Sequence, residues 1–128
     1  MIQVSRDDAL KGLRRFKRLA KQDILASSLT PDPEFWRVQA ESRRKTYDEL
    51  IALVENEGVI IAYEYAMKEY GNLRQYLEEG SHDPEHRGQG LAYELFLEAM
   101  GASKETLSGT PIDGTSLELE EDRFQIQA

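Results

Sequence analysis

From Ser5 the chain repeats apolar residues at helical spacing: Ala9, Leu13, Phe16, Ala20 and Ile24 recur every three or four positions. Lys11, Arg14, Arg15, Arg18 and Lys21 fall on the opposite side, which gives an amphipathic helix with one apolar and one basic face. Ser5 suits its N-cap, and Asp7 and Asp8 follow in the first turn, where negative charge suits the helix dipole. The pattern runs out near Ser27 or Ser28, before "LTPDP". Asp32 followed by Pro33 signals a new helix start. Trp36, Ala40, Tyr47, Ile51 and Val54 then keep helical spacing, predicting one long helix that Gly58 closes as a left-handed cap.

The next stretch, "VIIAYEYAMKEY", fits two templates. Val59, Ala62, Tyr63, Ala66, Met67 and Tyr70 form a complete helical stripe, while Val59, Ile61, Tyr63, Tyr65 and Met67 alternate as a strand would. The alanines and the charges at Glu64, Lys68 and Glu69 favour a helix; a hairpin turning at residues 56–58 is the alternative. After Gly71 a short helical piece is expected around Leu73 to Glu79. "GSHDPEHRGQG" has no apolar residue across its eleven positions and reads as a polar loop. A further helix is expected from about Leu91 to Met100, burying Leu91, Leu95, Phe96, Ala99 and Met100 and ending at Gly101. Beyond it only "SLELEEDRFQI" looks like a short strand or hairpin arm.

These elements predict a mainly α fold, a small bundle of about four helices over residues 1–101. Two long antiparallel helices carry a third across them, and a fourth follows the polar loop. Residues 102–128 form an irregular or hairpin-like C-terminal tail, packed on the bundle or partly flexible. Short connectors favour antiparallel neighbours.

Composition narrows the chemistry. At 128 residues the chain is the size of one domain, with enough surface to bury for a core of its own. It has no cysteine, which removes disulfides, thiol catalysis and cysteine-based metal sites. No apolar run approaches the length of roughly 18 residues needed to span a bilayer, and the N-terminal stretch lacks the apolar core of a signal peptide. A cytoplasmic protein with no membrane partner is the expectation.

The net charge of -8 conceals a division near Lys45. Residues 1–45 carry eleven Lys and Arg against six Asp and Glu, and residues 46–128 carry five against eighteen. Opposite halves attract, so complementary surfaces within the fold or between copies are expected. Nucleic-acid binding through the basic first helix is the weaker reading. It would place Arg14, Arg15 and Arg18 on phosphates, yet no aromatic residue in that stripe is placed to stack on a base.

Residues 83–92, "DPEHRGQGLA", carry the most specific chemical pattern. Pro84, Glu85, Arg87, Gly88, Gly90, Leu91 and Ala92 stand at the positions of the motif Pro-Glu-x-Arg-Gly-x-Gly-hydrophobic-Gly/Ala. The stretch resembles the acetyl-CoA loop of the GCN5-related N-acetyltransferases. The resemblance implies an α/β acetyltransferase-like fold, with "ELIALVE" and "VIIAYEYAM" as strands. It also implies acetyl-CoA as cofactor, held by Arg87 and the main-chain amides of Gly88 to Ala92, with Gly90 letting the backbone approach the pyrophosphate. In that family an apolar strand leads into the loop, where this chain has "EEGSHD", and no tyrosine follows Tyr93 to match the family's closing one.

The two histidines, His82 and His86, are four apart, but Pro84 between them argues against the continuous helix that would let them share a metal. No metal site is expected. Five tyrosines fall between positions 47 and 76; Tyr65 and Tyr76 lie off the main stripe and are expected at an exposed interface. No arrangement of serine, histidine and acid can be argued, and no catalytic residue is assigned. The sequence therefore points to a non-enzymatic protein-interaction or regulatory module, charge-polarised and self-associating or bound to a protein. The acetyl-CoA-dependent N-acetyltransferase is the alternative.

Overall fold

The computed structural model describes residues 4–80, 82–103 and 107. Among the described residues four helices follow one another: α1 (Arg6–Ala26), α2 (Pro33–Glu57), α3 (Val59–Glu78) and α4 (Pro84–Ala99), with a 3-10 turn at Ser27–Leu29 after α1. There is no strand among the described residues. This is the small helical bundle that the apolar spacing predicts. The α/β alternative is corrected, because residues 49–55 and 59–67 lie in α2 and α3.

Local chemistry sets the ends. The Ser5 hydroxyl accepts from the Asp8 N–H at 3.1 Å, and the Asp32 carboxylate accepts from Phe35 N–H at 3.2 Å with Pro33 in the first turn. Gly58 closes α2 and opens α3 in one residue: its φ of 95° is a conformation that side-chain-bearing residues rarely adopt, and its N–H bonds the Leu53 and Val54 carbonyls. A single connecting residue folds α3 back along α2, where the Tyr65 hydroxyl donates to the Glu49 carboxylate at 2.6 Å.

α1 and α2 are antiparallel. Phe16 packs on Tyr47 with ring centroids 5.5 Å apart, and Lys17–Asp48 (2.6 Å) and Arg43–Asp23 (2.5 Å) pair across them. The interior is built from Leu13, Tyr47, Leu50, Val54, Phe96 and Leu97, all almost fully buried. α3 adds only Ala62 and Ala66 to the buried set, so small residues let it lie close while its outer side stays in solvent. Leu107 is also buried in this core.

Three expectations change. α3 runs unbroken through Gly71, where a break was expected, because one glycine costs a helix only about 1 kcal/mol and neighbouring Tyr70 and Leu73 pack against the core. The stretch Pro84–Gly90, expected as loop, forms the first two turns of α4, capped by Asp83. Its buried face is accordingly Gly88, Gly90, Ala92, Tyr93, Phe96 and Leu97 with Met100; Leu91 and Leu95 are half-buried and Ala99 is exposed. Trp36, expected in the core stripe, is 44% exposed, and Ile51, expected there too, is half-buried while its neighbour Leu50 is fully buried. The strand expected at "SLELEEDRFQI", and nearly all of the tail expected over 102–128, lie outside the described residues.

Candidate functional site

Arg87, Gly88, Gly90 and Ala92 stand on α4 and not on a loop. Gly88 lies against α2: a Cβ there would overlap the Gln39 carbonyl oxygen and come within 2.8 Å of the Ser42 Cβ. At Gly90 a Cβ would meet a Leu77 methyl of α3 at 2.8 Å. Ala92 is fully buried. In an α-helix each N–H is bonded to the carbonyl four residues earlier, so the amides of Gly88 to Ala92 are engaged inside α4. They form no cradle of the kind that the acetyl-CoA resemblance implies. These glycines instead permit close approach of three helices.

The histidines are separated by their surroundings. The His86 ring stacks on Tyr76 of α3, with centroids 4.9 Å apart, and its Nδ1 stands 3.7 Å from the Asp83 carboxylate. His82 borders a groove with Trp36 and Leu91. No group of three metal-binding side chains occurs among the described residues. Of the two tyrosines expected at an interface, Tyr76 is 43% exposed, while Tyr65 is half-buried and bonded to Glu49.

Burial shapes the tyrosines. It pushes the Tyr47 phenol up to about 12, with Arg43 opposing and Asp23 adding to the shift. Tyr93 is raised by burial and by its hydrogen bond with Tyr65. Tyr70 is raised by burial and then by the negative charges of Glu94, Glu98 and Glu78, which converge on it from α4 and α3, against Arg74. That convergence marks an acidic surface on the α3–α4 side.

The outer side of α1 is basic. α1 carries seven Lys and Arg against three Asp. Arg14 and Lys17 are drawn to Glu55 and Asp48 of α2. Lys11, Arg15 and Arg18, at spacings of four and three, form an exposed row with Lys21 beside it. None of these four has a carboxylate within 4 Å among the described residues. The row runs on into two exposed leucines, Leu25 at 82% and Leu29 at 87%. The basic face was legible in the sequence; its leucine end was not, since a two-faced helix pattern assigns leucine to the core.

No helix among the described residues is long and apolar enough to cross a membrane. Comparison with protein-family models, curated proteins and solved structures found no match.

Proposed function

We propose that this chain is a non-enzymatic protein-interaction module whose recognition surface is the outer face of α1. The observation that carries this reading is the row Lys11, Arg15 and Arg18, exposed and unpaired among the described residues and continued by Leu25 and Leu29. Holding like charges in one row is unfavourable by itself, and an acidic partner relieves it. The leucines add an apolar contact worth about 25 cal/mol for each Å² buried, which a polyanion alone does not offer. An acidic protein segment with an apolar residue at one end fits both features. The nucleic-acid reading has no stacking residue on this face, because Phe16 packs against Tyr47.

A calorimetric titration with a glutamate oligomer tests the reading. The wild-type chain is expected to bind it, and the combined Lys11→Gln, Arg15→Gln, Arg18→Gln variant to lose that binding while keeping its helical circular dichroism. Equal binding by both proteins would remove α1 as the surface.

A further inference from the structure

We infer that the partner of the basic row is a second copy of this chain, engaged through the acidic side of α3 and α4, so that copies join head to tail. This rests on the reading of α1 as the recognition surface and names its occupant. The argument is complementarity in two respects. α1 presents cations, and α3 and α4 together carry six Glu against one Lys and two Arg, three of those Glu gathered around Tyr70. Each surface also has an apolar end. Leu25 and Leu29 follow the cations, and Ile60 (63% exposed) and Ile61 (46%) stand one turn before Glu64 on the outer side of α3.

The placement of the two surfaces decides the kind of assembly. α1 packs principally on α2, whereas α3 and α4 pack on each other and on α2. The basic row and the acidic residues therefore stand on helices that do not pack principally on each other, and no ion pair joins Lys11, Arg15 or Arg18 to α3 or α4 within a single copy among the described residues. A contact between two different patches is heterologous. It leaves one free surface of each sign at the ends of every pair, and it continues as a chain or closes as a ring. Individual surface ion pairs contribute little, so the association is expected to be weak, cumulative and salt-sensitive.

The test is sedimentation velocity of the full chain over a concentration series at about 50 mM and about 500 mM salt. Species larger than a monomer are expected at low salt, returning to monomer at high salt. One variant carries Lys11→Gln, Arg15→Gln and Arg18→Gln; the other carries Glu64→Gln and Glu98→Gln. Each alone is expected to need at least about tenfold more protein to associate. Mixed, they retain one intact surface of each kind and should pair one to one and stop at the dimer, which also shows that both are folded. A wild-type chain that stays monomeric at low salt, or a mixture that stays monomeric, overturns the inference. Binding of a glutamate oligomer by a chain that never self-associates keeps α1 as a recognition surface and removes the second copy as its occupant. Association lost in the first variant and unchanged in the second removes the α3–α4 side as the contact.

Discussion

Gly88 of α4 sits directly over Ser42 of α2, so close that a Cβ on Gly88 would stand 2.8 Å from the Ser42 Cβ, while the Ser42 hydroxyl donates to the Glu85 carbonyl at 2.8 Å. Glycine is required here by contact and not by backbone conformation. Gly88→Ala forces backbone against backbone at the Gln39 carbonyl and should destabilise the fold by about 1–3 kcal/mol. Gly12 and Gly71 are also helical but have nothing within 4 Å of an added Cβ. Gly12→Ala and Gly71→Ala should each stabilise by about 0.5–1 kcal/mol through helix propensity. Thermal unfolding of the three variants is expected to give opposite signs.

Tyr47 gives the fold a pH dependence on the alkaline side. Its phenol is raised to about 12 by burial, against about 10 in the unfolded chain. The folded state therefore keeps a proton that the unfolded state releases. The stability contributed is fully present below pH 10 and is lost as the pH rises from there toward 12. The loss from this one group is about 1.4 kcal/mol per pH unit. Denaturant unfolding between pH 10 and 12 should show a slope shallower by that amount in Tyr47→Phe than in the wild type.

Acetyl-CoA binding follows directly from whether residues 86–92 are loop or helix. With the amides of Gly88 to Ala92 bonded within α4, calorimetric titration with acetyl-CoA is expected to show no binding. Micromolar affinity that weakens on Arg87→Ala would show that the pyrophosphate is held by these residues after all.

The helices were legible where a cap and a stripe agreed. Ser5, Asp32 and Gly58 each combine a terminal residue type with the start or end of apolar spacing, and each is the boundary observed. The α4 start was missed because its packing face begins with Gly88 and Gly90, which count as loop formers in a sequence and as helix-crossing positions in a fold. The same two glycines produced the likeness to a phosphate loop. Trp36 was misplaced for a related reason: helical spacing identifies a stripe but not how far along a helix its neighbours extend. Lys11, Arg15 and Arg18 were readable as a basic face. That Arg14 and Lys17 are pulled to Glu55 and Asp48 while those three are left outward depends on the rotation of α1 on α2, which one sequence does not encode visibly.

The ionic-strength dependence of glutamate-oligomer binding measures most directly whether the cations of α1 recognise a partner. If the outer face of α1 is the recognition surface, affinity should fall steeply from about 50 mM to about 500 mM salt, and the Lys11, Arg15, Arg18 glutamine variant should lose both the affinity and most of that salt slope. Binding that is insensitive to salt, or a variant with the wild-type slope, would contradict it.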